Sequence, residues 1–269
     1  MSRIASFFKS PTRKGQKKRK ALIAYLIVGY PSVATTLEVV PALVEGGCDM
    51  IELGIPFSDP LADGATIQRA SHRALQQGVT PQLCLEVASE LRQRVDIPLI
   101  FMSYYNPLLH YGLDAFCADS SGAGIDGLIV PDLPPEEGAG LEAVAAKKRL
   151  DLIYLLALTT TEERLRLVTD KSRGFIYVVS LKGVTGARNV LPPDLEGFIG
   201  RVRSVTTKPL CVGFGIATPE QARRVASLAD GVIIGSRILD IVESSDQPAT
   251  AAGDFIREIR KALSPHDLV

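Results

Sequence analysis

The amino-acid sequence predicts an α/β chain folded as a (β/α)8 barrel. Three observations lead there. About eight short apolar runs recur along the 269 residues, each followed by a stretch with helical spacing of its apolar positions. The runs are apolar throughout rather than alternating, as parallel strands covered on both faces are. No shift in composition marks a boundary, so residues 1–269 read as one domain. A doubly wound open sheet is the runner-up, weakened because no GxGxxG follows the first strand.

A short helix over 4–9 opens the chain, and its Phe7 and Phe8 need cover that the bottom of the barrel would supply. The basic run 13–20 has no interleaved aromatics and leads directly into strand 21–28, so it reads as a solvated loop. Gly29-Tyr-Pro31 closes that strand, and Ser32 caps a helix carrying Leu37, Val40 and Val44 on one face. Strand 49–53 follows, then a loop broken by Pro56, Pro60 and Gly64 that exposes Asp59 and Asp63. Helix 66–77 and a second helix from Thr80-Pro81 to about residue 94 come next, with proline at the first helical position. Strand 98–102 ends in a turn over 104–107, and helix 113–119 leads to strand 127–130. The rim segment 131–135, helix 136–148 and strand 152–156 are followed by helix 162–171, with residues 159–161 as its caps. Strand 175–180 runs into a long loop and helix 195–205. Strand 210–212 and helix 220–228, opened by Thr218-Pro219, precede the last strand, 231–234. A short extra helix over 237–242 and a final one near 251–263 complete the reading.

Composition narrows the function classes. Lys+Arg and Asp+Glu number 30 each, so net charge steers the chain to neither nucleic acid nor membrane. Cys48, Cys84, Cys117 and Cys211 are scattered without a CxxC or a nearby histidine pair, which suggests neither zinc nor a disulfide framework. The N-terminus lacks a signal-peptide h-region and no run is long enough to span a bilayer, so the expected location is the cytoplasm. His72, His110 and His266 show no metal or triad logic and are expected at the surface or as caps.

The chemistry concentrates in two places. Glu52 is a carboxyl inside an apolar strand, where desolvation favours the neutral form and prepares a general acid/base near neutral pH. The bland alternative is a core ion pair with a Lys or Arg. Asp63 on the following loop could face the same cavity, or only cap the next helix. The second place is a set of glycine-bearing turns after strands six, seven and eight: Gly183-Val-Thr-Gly186, Gly213-Phe-Gly215 and Gly235-Ser236. In this fold a phosphate commonly sits between the last two of these loops, at the start of a short extra helix. Glycine lets backbone N–H groups approach the anion. Tyr25, Tyr104 and Tyr177 lie at or near strand ends, and three around one mouth suit a flat aromatic substrate.

Glu52-Leu-Gly-Ile-Pro-Phe-Ser-Asp-Pro-Leu-Ala-Asp-Gly64 resembles the signature of the tryptophan synthase α subunit family. The resemblance runs from Tyr25-Leu-Ile-Val-Gly-Tyr-Pro31 through Asn106-Pro107, Gly127-Leu-Ile-Val-Pro-Asp-Leu-Pro134, Gly183-Val-Thr-Gly-Ala187 and Val212-Gly-Phe-Gly-Ile216 to Gly231-Val-Ile-Ile-Gly-Ser236. It implies a barrel that cleaves indole-3-glycerol phosphate to indole and glyceraldehyde 3-phosphate with no cofactor of its own. It also implies a partner β subunit carrying pyridoxal phosphate, in an α2β2 assembly. Glu52 matches the family's acid/base glutamate and Asp63 the aspartate at the indole N–H. Tyr25, Tyr104 and Tyr177 match positions around the substrate, and Thr185 the active-site loop threonine. Gly186, Gly213, Phe214, Gly215, Gly235 and Ser236 match the phosphate turns. Ala65, Leu158 and Arg237 depart from the family pattern, the last of them beside the phosphate turn. A sugar-phosphate isomerase on the same fold and a phosphate-binding regulatory subunit without catalysis are the alternatives. Segments 56–61 and 131–135, stiffened by proline on the rim, are the expected docking surface for the partner.

Overall fold

The computed structural model describes residues 2–9, 19–179, 193–213 and 215–263. Its strands are β1 (Ala21–Ile27), β2 (Met50–Gly54), β3 (Leu99–Met102), β4 (Gly127–Ile129), β5 (Asp151–Ile153), β6 (Leu155–Ala157), β7 (Ile176–Val179), β8 (Leu210–Gly213) and β9 (Gly231–Ile234). They form one sheet in the order β5-β4-β3-β2-β1-β9-β8-β7-β6, with every pairing parallel. The two ends of that order are consecutive in the chain and separated by Tyr154 alone. β5 pairs with β4, Asp151 beside Gly127, and β6 pairs with β7, Leu155 beside Tyr177. They are two halves of one stave, and the sheet closes into a barrel of eight staves.

The helices wrap the outside, as crossovers between parallel strands must. They are α1 (Arg3–Lys9), α2 (Val33–Glu45), α3 (Ala65–Gln76), α4 (Pro81–Arg94), α5 (Tyr105–Tyr111), α6 (Leu113–Gly122), α7 (Ala139–Lys147), α8 (Glu162–Lys171), α9 (Leu195–Val205), α10 (Pro219–Leu228), α11 (Ser236–Ser244) and α12 (Pro248–Ala262). Local chemistry explains several starts. Ser32 and Thr80 accept the Thr35 and Leu83 amides as N-caps. Thr218 and Gln221 form a reciprocal capping box on α10. α1 seals the bottom as expected: Ile4 is fully buried, Phe8 nearly so, and the Phe8 ring lies 6.2 Å from Phe175. Ile4 fits because Gly127 and Gly174 are bare; a Cβ on either would come within about 3 Å of it.

The structure corrects several local expectations. Residues 105–111 form α5 rather than a turn, because Pro107 falls at the third helical position, where a missing N–H costs nothing. The fifth strand is interrupted because the Tyr154 amide donates to Ser172 Oγ instead of to a neighbouring strand. On α2 the fully covered face is Thr36, Val39, Val40 and Leu43, with Leu37 and Val44 at its margins. Thr161 is the N-cap of α8 but makes no side-chain cap; Thr160 Oγ instead accepts the Ala157 amide and closes the turn after β6. Helix α7 starts at Ala139, three residues later than its sequence pattern suggests. No described helix is long and apolar enough to cross a membrane.

Candidate active site

Strand register places Glu52 inside the barrel. Tyr25, Glu52 and Ile100 are adjacent across β1, β2 and β3, so their side chains project from the same face of the sheet. Tyr25 lines a cleft at the mouth that opens to solvent, and that face is therefore the interior. Glu52 is fully buried and does not line the cleft itself; it lies one inward row beneath it. The next inward position on β2 is Gly54, paired with the cleft-lining Met102. A side chain there would stand between Glu52 and the mouth, and its Cβ would lie 2.6 Å from Tyr25 Oη.

Among the described residues neither carboxyl oxygen of Glu52 has a hydrogen-bond partner. The core ion-pair reading is therefore set aside. Burial alone pushes the Glu52 pKa up to about 8. Cys211, the strand partner of Tyr177, shares this interior and its thiol is raised by burial.

Asp63 differs from expectation. The loop after β2 exposes Asp59, but it turns Asp63 inward to 4% exposure. Gly64 is the N-cap of α3, so the helix-cap reading of Asp63 is also set aside. Its Oδ2 accepts the Tyr104 hydroxyl at 3.1 Å, while Oδ1 has no partner among the described residues. Burial raises the pKa to about 6, with the Tyr104 hydrogen bond pulling the other way. Tyr104 Oη in turn accepts the Ala62 amide at 2.9 Å, which ties the loop to the end of β3.

The cleft is lined by Tyr25, Asp63, Ile67, Met102, Tyr177, Ile233, Gly235 and Ser236. The structure thus brings together both carboxyls, the three tyrosines and the last glycine turn. Thr185, Gly186 and Phe214 lie outside the described residues. Gly215 has a φ of +78°, a conformation that favours glycine. Gly213 and Gly235 have a second reason to be glycine: a Cβ would come within 2.4 Å of Tyr177 Oη and 2.8 Å of the Tyr25 ring. Gly235 follows β9 and is the N-cap of α11, which begins at Ser236 with no side chain capping it. Such a terminus presents free amides and the positive end of the helix dipole to the cleft. The Arg237 side chain is exposed. His72 and His110 are exposed as expected, and His266 lies outside the described residues.

Sequence reasoning missed Ile67, Met102 and Ile233 as walls, because apolar residues on strands and helices read simply as core. It also missed Phe57, which stacks on Tyr104 with ring centroids 5.2 Å apart, and Ser71, which holds Phe57. The signal for Ser71 was available: it is the polar member of the buried stripe Ile67, Ala70, Ser71 and Ala74.

A family model described as tryptophan synthase alpha chain matches residues 12–263. The chain is 54% identical over 263 residues to the tryptophan synthase alpha chain of Dehalococcoides mccartyi, covering 98% of this chain and 100% of that one. It is 49% identical over 267 residues to that of Chloroflexus aurantiacus, covering 98% and 99%. Among solved structures, tryptophan synthase of Mycobacterium tuberculosis superposes with a TM-score of 0.88 at 40% identity, over 97% of this chain and 98% of that one.

Proposed function

This chain belongs to the tryptophan synthase alpha chain family, the lyase that cleaves indole-3-glycerol phosphate to indole and glyceraldehyde 3-phosphate in tryptophan biosynthesis, and from that premise we propose which residues carry each step. The observation that carries the assignment is a fully buried Glu52 with both oxygens unpartnered among the described residues, beneath a cleft that also holds a buried Asp63.

With one carboxyl raised to about 8 and the other to about 6, Glu52 is mostly neutral at pH 7 and Asp63 mostly ionised. Glu52 gives its proton to indole C3, which leaves positive charge on the ring nitrogen. Asp63 stabilises that charge through the indole N–H. The Glu52 carboxylate then takes the proton of the glycerol hydroxyl next to the ring. The C–C bond breaks, its electron pair restores the aromatic ring, and the hydroxyl carbon becomes the aldehyde. Atoms and charges balance with the two carboxyls alone, so we assign this chain no cofactor.

Tyr25, Tyr177 and Met102 form the walls for the indole. Gly213, Gly215, Gly235, Ser236 and the first amides of α11 take the phosphate, whose binding energy fixes the reacting carbon over Glu52. The parts of Thr185, Gly186 and Phe214 in this scheme rest on the family resemblance.

The family works with a β subunit, to which we assign the pyridoxal phosphate. We place its docking surface on the mouth side, as an α2β2 assembly. Leu61 is 84% exposed and Leu109 50%, both on segments that follow strand ends. In the other rim segment Leu133 and Pro135 are buried, so Asp132 is its exposed point. Glu52→Gln tests the chemistry: indole release should fall about 10²–10⁴-fold in a folded protein that still binds glycerol 3-phosphate. Near-normal turnover in that variant would remove Glu52 from the mechanism.

A further inference from the structure

We infer that Ser71 is the residue that positions Asp63 for catalysis, acting through Phe57 and Tyr104. The inference rests on the reading of Asp63 given above. Ser71 lies on the second turn of α3 and is buried, yet it does not line the cleft. Its Oγ accepts the Phe57 amide at 2.8 Å and donates to the Phe57 carbonyl at 3.0 Å. One hydroxyl thus meets both backbone groups of a residue 14 positions earlier, on a loop past the end of β2.

The held residue then acts through its ring. Phe57 stacks on Tyr104 at 30° between planes, and this fixes the direction of the Tyr104 hydroxyl. That hydroxyl accepts the Ala62 amide and donates to Asp63 Oδ2. Gln68, one turn earlier on α3, donates from Nε2 to the Asp63 carbonyl at 2.9 Å. The loop is therefore folded onto α3 at two points, under Phe57 and under Asp63. Without the Ser71 hydroxyl, the Phe57 amide and carbonyl lose their partner, and an unmet polar pair drives a loop to rearrange. The Phe57 ring then leaves Tyr104, and Tyr104 loses the wall that aims it at Asp63. Ser71 touches no reacting atom, which makes it a positioning residue.

The pH dependence distinguishes this role from plain stabilisation. Among the described residues, the titratable groups acting on or beside Asp63 are Tyr104 after β3, Tyr25 on β1, Tyr177 on β7 and Glu52 on β2, with no cation among them. The Tyr104 hydrogen bond favours the ionised carboxylate and opposes the rise due to burial. Loosening it raises the Asp63 pKa further, so the acid limb of the rate profile moves to higher pH.

The experiment measures indole formation from indole-3-glycerol phosphate across pH 5–9 for the full chain, Ser71→Ala, Ser71→Thr and Phe57→Leu. Ser71→Ala should lose about 10–100-fold in kcat at pH 7, with KM little changed and the acid limb displaced upward. Ser71→Thr keeps the hydroxyl and should restore both. Phe57→Leu removes the ring while keeping the backbone clasp, and should shift the limb in the same direction; it decides the matter should Ser71→Ala not fold. A Ser71→Ala protein with an unmoved acid limb, whatever its kcat, overturns the inference, as does an unmoved limb in Phe57→Leu. An unsubstituted chain that releases no indole overturns the reading of Asp63 and this inference together. An active chain indifferent to both changes overturns only the latter.

Discussion

Glu52 and Asp63 are buried carboxyls at one barrel mouth held at different pKa values, and we assign them the roles of acid and base. Burial raises both, one to about 8 and the other to about 6, and at Asp63 the Tyr104 hydrogen bond opposes the rise. Two consequences follow for solution behaviour. The rate should be bell-shaped in pH, lost below about 6 as Asp63 gains a proton and above about 8 as Glu52 loses one; steady-state kcat over pH 5–9 measures both limbs. Stability should carry the opposite sign to an ordinary salt-bridged carboxylate. The folded Glu52 binds a proton between 4.5 and about 8 that the unfolded chain does not, so stability falls as pH rises through that window. Glu52→Gln removes this cost and should be more stable than the parent at pH 9 by on the order of 2–5 kcal/mol, read from denaturant midpoints at pH 5 and pH 9. Equal gains at both pH values would mean that Glu52 is not desolvated in the folded chain. Glu52 was legible as a buried carboxyl because its neighbours in the strand are apolar. The burial of Asp63 was not, since prolines, glycine and two aspartates describe a solvated loop, and its inward turn involves Tyr104, which follows β3.

At the scale of elements, the loops after β8 and β9 combine two demands that the sequence showed as one. The glycines were read as room for a phosphate, and the structure adds that the rings of Tyr177 and Tyr25 lie against Gly213 and Gly235. Substitution at Gly235 therefore has a steric and an electrostatic part, which two variants separate. Gly235→Ala presses on the Tyr25 ring and should weaken glycerol 3-phosphate binding modestly. Gly235→Asp adds a like charge at the α11 terminus and should weaken it by at least about a further tenfold, by calorimetry on both folded proteins. Equal affinities for the two would place the phosphate elsewhere. Most strands and helices were legible because an unbroken apolar run flanked by turn residues leaves little choice. α5 was hidden by Pro107, which reads as a breaker anywhere but in the first helical turn. The break in the fifth strand was hidden too, since it is Ser172, at the far end of α8, that draws the Tyr154 amide away.

At the scale of the whole molecule, the barrel is closed below and open above. α1 seals the bottom with Ile4 and Phe8, and Ile4→Ala should cost about 2–5 kcal/mol in a denaturant titration while leaving the KM for substrate unchanged. The open end carries Leu61 and Leu109 and holds the Asp63 loop, so docking of the β subunit there would act on catalysis through that loop. Mixing the two purified chains should give co-elution and faster indole formation; the absence of both would contradict docking at the mouth. The proposed chemistry depends on one group, Glu52, being neutral where carboxyls are usually charged. Its most direct test is the difference infrared spectrum of the unsubstituted chain and Glu52→Gln, followed from pH 5 to pH 10. The protonated-carboxyl band of Glu52 should persist at pH 7 and disappear with a midpoint near 8. A band already lost by pH 5 would leave the barrel without its acid and contradict the mechanism.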